Sequence, residues 1–506
     1  MDKSLRAKLE SLGLAAGGGW LWSLAFGPEG SIWLPWIGLV PLVTIAGRES
    51  GRGRFLWGWL HGIVFWMTSI PWIVPTLVSY GGLPRALGIF LLGLLAAYLG
   101  VYHGLFALLG GALARRGAAT ALFALPALWV ALEWLRGWLF GGFPWNLAAY
   151  AWIAMPGALE ISAWIGAWGV SYLGLWVNVG IASSIRKRRA EPALLTALVV
   201  LLVLPIAGRY SRPGPAAAPK SEVVLLQPNT GVDGGSDQEL WLAYLEVVEQ
   251  AAGACRERPA LLIWPESAAW PFMYGRSPRL ERDLAELAAA GCPVILNTVS
   301  HGSNDRGDGA EGMYNSAILV DEEGLAGRYD KRKLVPWGEH VPLAEVLPFV
   351  GKLARQAGNF SAGDSVALLP WEGGEIGMAI CYEVVFPHPV AEQVRAGAPV
   401  LATITNDAWY GASDAPWQHF RAARFRAAEN HRPLLRSALT GVSGVIGPRG
   451  EVIARLGVGE KGVLRHQVVP RSGLTPFARA PWLVPGACLL GALLPLGFAI
   501  VRRRRK

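Results

Sequence analysis

The sequence predicts a polytopic α-helical membrane domain of about eight spans joined to a soluble α/β sandwich domain. Three observations lead to that reading. Of 506 residues, 52% are hydrophobic and only 16% charged, against roughly 25% charged in an average soluble protein. The apolar residues are concentrated in 1–210 and 480–501, whereas 221–470 has an ordinary soluble composition. Within 221–470, short β-rich apolar runs alternate with helical patterns, as in sheets buried on both faces.

A bilayer-crossing helix needs about 20 mostly apolar residues. Suitable segments lie near 10–27, 31–47, 55–78, 87–113, 118–139, 158–184, 191–208 and 482–501. Seven precede the soluble domain and one follows it. Basic residues flank alternate spans: Lys3, Arg6 and Lys8; Arg48, Arg52 and Arg54; Arg115 and Arg116; Arg186–Arg189; and Arg502–Lys506. The intervening short loops hold little charge beyond Glu29, Arg85 and Arg136. Eight spans put every basic cluster on the cytoplasmic side and the domain 221–470 on the opposite side. The 24 Trp residues suit a membrane interface. No cleavable signal peptide is expected, because the first span is followed directly by others. Without an internal repeat, an inverted-repeat transporter is disfavoured.

The net charge of +9 is spent on these short loop clusters. They form no continuous stripe for a phosphate backbone, so nucleic acid is excluded as a partner. The four cysteines, Cys255, Cys292, Cys381 and Cys488, lack zinc-ligand spacing. Cys255 and Cys292 could pair if their domain is extracytoplasmic, although nothing in their spacing requires it.

The soluble domain is bounded by Ser211–Pro215 and by Pro470–Pro481, both of linker composition. Strands are expected at Val223–Gln227, Leu261–Trp264, Val294–Thr298, Ala317–Val320, Ile376–Ile380, Leu401–Ile404 and Val442–Ile446. Helices are expected over Gln238–Ala252, Leu280–Ala290 and Trp417–Asn430. The turn Asp321–Gly324 suggests that part of the sheet is antiparallel.

Three places carry candidate chemistry. Glu266, in Trp264-Pro265-Glu266, follows a buried strand, a placement that suits a general base. The segment Tyr329–Glu339 offers Lys331 or Lys333 as a cation for an oxyanion, with Glu339 to brace it. Cys381, in Ile380-Cys381-Tyr382-Glu383, ends a strand where a tight turn would expose its sulfur as a nucleophile. A buried structural cysteine is the commoner fate of such a residue. Base, cation and nucleophile in one domain, all at strand ends, shift the balance toward an acyl-transfer site.

That ordered set resembles the nitrilase superfamily through W-P-E, Y-x-K-x-x-L-V-P-x-G-E and C-Y-E. The resemblance covers 221–470 and implies an α-β-β-α sandwich with Glu266 as base, Lys331 as oxyanion stabiliser and Cys381 as nucleophile. Lys331, rather than Lys333, fits the motif position. Together with the spans, the chain is similar to the apolipoprotein N-acyltransferase family. This likeness extends to Asn406–Gly411, Gln418-His419, Arg426–Glu429, Arg432-Pro433, Thr440–Gly444, Gly142–Trp145 and Gly169–Ser171. By position it implies supporting or substrate-binding roles for Glu339, Tyr382, Glu383, Trp409 and Trp145. The sequence departs from the pattern at Trp337, His340 and Tyr410. A tryptophan expected upstream of the base is displaced, with Trp241 the nearest candidate.

The resemblance implies transfer of an acyl chain from a membrane phospholipid, through a Cys381 thioester, to the α-amino group of a diacylglyceryl-cysteine lipoprotein. It implies no metal or cofactor, a monomer, and a bacterial inner membrane with the catalytic domain on the periplasmic side. The competing expectation is a membrane-tethered amidase that hydrolyses a small amide.

Overall fold

The computed structural model describes residues 3–28, 30–231, 236–303, 311–336, 338–340 and 359–504. Glu29 and Trp337, both singled out above, and the end of the basic tail lie outside them. The chain divides into two units, one of residues 1–211 and 480–506, the other of 212–479.

The first unit is helical. Among the described residues, helices 85–114, 118–136, 158–187 and 192–210 are long and apolar enough to cross a membrane. The pair Gly51–Ser69 and Ile73–Ser79 makes a fifth if its 55° bend lies within one span. Near the first expected span, the helical run from Lys3 to Phe26 is interrupted by a π-turn at Gly13–Gly17 and ends in a 3₁₀ turn. The second expected span is two short helices, Leu34–Ile37 and Val40–Arg48. Helix Ala158–Lys187 is broken at Gly166, where φ is +65°.

Two G-x-x-x-G patterns explain the close packing of helices 51–69 and 85–114. A Cβ on Gly62 would lie 2.6 Å from the Gly100 Cα, and one on Gly58 would lie 2.8 Å from the His103 carbonyl oxygen. Only hydrogen fits at such a crossing, the usual way for apolar helices to gain contact where water does not drive them together. Helix Glu191–Tyr210 instead leaves Leu194, Leu195, Leu198, Leu201, Leu202 and Ile206 exposed. An apolar surface of that kind suits lipid.

Among the described residues, the second unit contains two six-stranded mixed sheets. In chain order the strands are β1 (Ser221–Gln227), β2 (Leu261–Ile263), β3 (Val294–Ser303), β4 (Glu311–Asp321), β5 (Gly324–Asp330), β6 (Leu368–Trp371), β7 (Gly374–Ile380), β8 (Val400–Thr405), β9 (Leu434–Ala438), β10 (Ser443–Ile446), β11 (Val452–Leu456) and β12 (Gly462–Val468). One sheet runs β12-β1-β2-β3-β4-β5 and the other β11-β10-β9-β8-β7-β6. In each, three central strands are parallel and the flanking pairs antiparallel.

Strand alternation divides the core into layers. Val223 and Leu225 of β1 join Ile263, Ile295, Met378, Ile380, Ala402 and Ile404 between the sheets. Val224 and Leu226 of the same strand face Tyr244, Val247, Leu280 and Leu284 of helices Asp237–Glu257 and Pro278–Ala289. Helices Pro387–Arg395 and Ala415–Asn430 pack on the other sheet. Both faces of the central strands are covered, which is why they read as continuous apolar runs. A disulfide joins Cys255, near the end of helix Asp237–Glu257, to Cys292, just before β3.

Candidate active site

The carboxyl ends of parallel strands are where an α/β sheet presents chemistry. Glu266 lies three residues beyond β2, Cys381 directly follows β7, and Asn406 and Asp407 directly follow β8. Lys331 follows the antiparallel strand β5.

Lys331 is 1% exposed, and its Nζ donates to Glu339 Oε1 at 2.8 Å and lies 3.8 Å from Glu266 Oε1. Asn315, inside β4, donates from Nδ2 to Glu266 Oε1 (3.1 Å) and Glu339 Oε1 (2.7 Å). The Asn406 backbone N–H holds Glu266 Oε2 at 3.0 Å, and the Val335 N–H holds Glu339 Oε2 at 2.8 Å. Burial opposes the Lys331 charge, but Glu339 and then Glu266 outweigh it and raise the pKa above the ordinary lysine value. The ammonium is therefore fixed as a cation between two carboxylates.

Cys381 is buried and not disulfide-bonded. Its φ of +52° is in the left-handed region, a costly conformation for a residue with a Cβ. The 3₁₀ turn Cys381–Val385 is held by Glu383, which is 1% exposed. Glu383 accepts from Ile380 N–H at 2.8 Å, from Arg332 and Lys333 N–H at 2.7 and 3.0 Å, and from the Tyr329 hydroxyl at 2.9 Å. One buried carboxylate thus ties the Cys381 turn to the segment bearing Lys331. Burial raises the Glu383 pKa above the usual carboxylate range.

Burial also pushes the Cys381 thiol up, and the nearby Glu266 adds to the rise, while Lys331 opposes it. The two carboxylates around one ammonium leave the site unfavourable to a third anion. The thiol is neutral at rest and needs a base to become a nucleophile.

The remaining expected residues are spread more widely. Tyr382 is buried and packs edge-on to Phe386 at 5.1 Å. Trp409 lies in the 3₁₀ turn Asp407–Tyr410 and is 39% exposed. Desolvation raises the Tyr410 phenol well above its ordinary value, and the nearby Asp407 and Glu266 carboxylates add to this, so the replaced phenylalanine position lies beside the site. Trp241 packs against Tyr244 and Phe272 and under Arg279. Trp145 belongs to the helical unit, where it is buried 5.2 Å from Trp72 and its carbonyl accepts from Arg136 at 2.9 Å. Glu133 Oε1 accepts from Ala148 N–H at 2.8 Å, so the ends of segment 143–148 are pinned by one helix end.

Residue-level reading missed Asn315 and Arg436. The signal for Asn315 was the polar pair Asn315-Ser316 inside the apolar run of β4. Arg436 is fully buried in β9 and donates to Asp407 Oδ2 at 2.7 Å.

Two six-stranded sheets with a glutamate, a lysine and a cysteine at their strand ends define a carbon–nitrogen hydrolase domain, and residues 225–475 match the Carbon-nitrogen hydrolase family model. Residues 18–180 match the model of the Apolipoprotein N-acyltransferase N-terminal domain. An apolipoprotein N-acyltransferase of Geobacter metallireducens is 35% identical over 96% of this chain and 94% of its own. One from Vibrio vulnificus is 32% identical over 100% and 99%. The solved structure of Saccharomyces cerevisiae Nit3, from the nitrilase superfamily, is similar over 50% of this chain and 92% of its own, at 20% identity and a TM-score of 0.38. The chain belongs to the apolipoprotein N-acyltransferase family. It is an acyltransferase carrying apolar helices of membrane-spanning length.

Proposed function

We propose that this membrane acyltransferase moves an acyl chain from a phospholipid to the α-amino group of a diacylglyceryl-cysteine lipoprotein in two steps. The observation that carries the reading is the buried Cys381 turn beside Glu266 and Lys331, in a chain similar to named N-acyltransferases along its whole length. Glu266 takes the thiol proton as the sulfur attacks the ester carbonyl. Lys331 and backbone N–H groups hold the oxyanion. Glu266 returns the proton to the departing lysophospholipid oxygen, leaving a thioester on Cys381. The lipoprotein amine then attacks the thioester, Glu266 accepts its proton, and an amide forms as the thiol is restored. The amidase alternative accounts for residues 225–475 but gives no role to the match over 18–180.

Eight spans, a bacterial inner membrane and a periplasmic catalytic domain complete the reading. The alternating basic clusters support that orientation. So does the Cys255–Cys292 disulfide, because such bonds persist in oxidising compartments. Trp409 and Trp145 are proposed to contact lipid substrate.

Intact mass after incubation with phospholipid tests the chemistry. The expected result is an acyl-sized increase that hydroxylamine removes, that is absent in Cys381→Ala, and that a diacylglyceryl peptide amine discharges. Hydrolysis of small amides without any acyl adduct would overturn the reading.

A further inference from the structure

Behind the Cys381 turn lies a fully buried cluster of His419, Asp407, Arg436 and Thr405. His419 Nε2 lies 3.0 Å from the Cys381 carbonyl oxygen. A carbonyl only accepts, so Nε2 carries a proton. The other nitrogen, Nδ1, is 3.1 Å from Arg436 Nη2 and 3.1 Å from Asp407 Oδ1. Arg436 Nη2 has two hydrogens, and its second partner is Asp407 Oδ2 at 2.7 Å. Thr405 donates to Asp407 Oδ1 at 2.9 Å. Burial, reinforced by Arg436, lowers the His419 pKa, so the ring is neutral, with its Nδ1 lone pair toward the guanidinium. The imidazole orientation is thus fixed from behind, and one N–H is presented forward to the nucleophile's own peptide group.

We infer that His419 is a positioning residue that clamps the Cys381–Tyr382 peptide and thereby aims the Tyr382 N–H at the oxyanion. A trans peptide is planar, with its N–H opposite its C=O. A hydrogen bond that fixes the Cys381 oxygen therefore fixes the direction of the Tyr382 N–H, turned away from His419. It also polarises the peptide and makes that N–H a better donor. Cys381 needs such a hold, because a left-handed residue with a side chain relaxes unless its surroundings retain it. The inference rests on the proposed role of Cys381 as acyl acceptor.

The test uses the full chain in detergent and the p-nitrophenolate burst from p-nitrophenyl butyrate, with Cys381→Ala as the blank. His419→Phe keeps the ring shape and removes the donor. His419→Asn has an amide too short to reach the carbonyl. His419→Gln can place an N–H near the lost Nε2. The burst rate is expected to fall at least tenfold in His419→Phe and His419→Asn and to return to within about threefold of wild type in His419→Gln. Alkylation of Cys381 by iodoacetamide, which forms no oxyanion, is expected to fall by much less. An unchanged burst in His419→Phe and His419→Asn would overturn the inference, as would equal losses of burst and alkylation in all three variants. Because the donor is a simple ester, a normal burst without acylation by phospholipid would count against the proposed function and leave the clamp standing.

Discussion

Asn315 and Glu339 meet at 2.7 Å, and the same amide nitrogen reaches Glu266 at 3.1 Å. One neutral side chain therefore spaces two carboxylates, the buried Glu266 and the partly buried Glu339, around Lys331. Asn315→Leu is expected to slow acylation of Cys381 about 10- to 100-fold, because an ångström of misplacement has that cost. Asn315→Asp should be slower still, since it adds an anion where two already crowd. Burst kinetics on the two variants decide this; equal rates for wild type and Asn315→Asp would show that the amide spaces nothing.

Lys331 and Lys333 are separable by experiment. Lys331 lies between the two carboxylates, whereas Lys333 places its Nζ 5.9 Å from the centre of the Phe386 ring. Lys331→Met should lower the acylation rate by about 100-fold or more, with Lys333→Met within about threefold of wild type. The reverse ranking would exchange their assignments.

The raised Cys381 pKa has a sign that alkylation can read. Burial, then Glu266, disfavours the thiolate. The iodoacetamide rate at Cys381 should keep climbing through pH 9, by about tenfold per unit while the thiol stays mostly protonated. A plateau at or below pH 8 would mean a free thiolate already formed at rest.

Acid should loosen the cluster behind the nucleophile. Burial alone would raise the Asp407 pKa, but Arg436, with the hydrogen bond from Thr405, overcomes it and holds the carboxyl down, to about 2. A group depressed on folding adds stability above its unfolded pKa, and that stability is lost as pH falls through the folded value. Between pH 4 and pH 2 the loss from Asp407 should be about 2 kcal/mol. Denaturant melts of wild type and Asp407→Asn over that range should converge as pH falls. Parallel curves would argue that Asp407 is protonated in both states.

The sheets were legible in the sequence wherever a strand is buried on both faces. Val223–Gln227, Ile376–Ile380 and Leu401–Ile404 read as unbroken apolar runs, and each falls within an observed strand. The reading failed where function or an edge breaks that pattern. In β9 the buried Arg436 interrupts an apolar run. β11 is a half-exposed edge strand, and β12 carries Arg465 and His466. The antiparallel turn at Asp321–Gly324 was visible from its residues, and Gly324 takes a φ of +106° there, which glycine adopts freely. In the helical unit, hydropathy located the apolar segments, yet it does not register the breaks at Gly13–Gly17, Ile70 and Gly166. Those depend on how helices pack, as do the hydrogen bonds of Asn315 and His419, whose partners come from distant parts of the chain.

The second unit begins and ends side by side. Ala216 pairs with Arg471, the Ala217 N–H reaches the Pro470 carbonyl at 2.9 Å, and the Ser472 N–H reaches that of Pro215 at 3.1 Å. A module whose ends meet can be spliced into a host loop without splitting the core of either partner. Residues 212–479 thus form a self-closing fold that lies, in sequence, between the two stretches of the helical unit, 1–211 and 480–506.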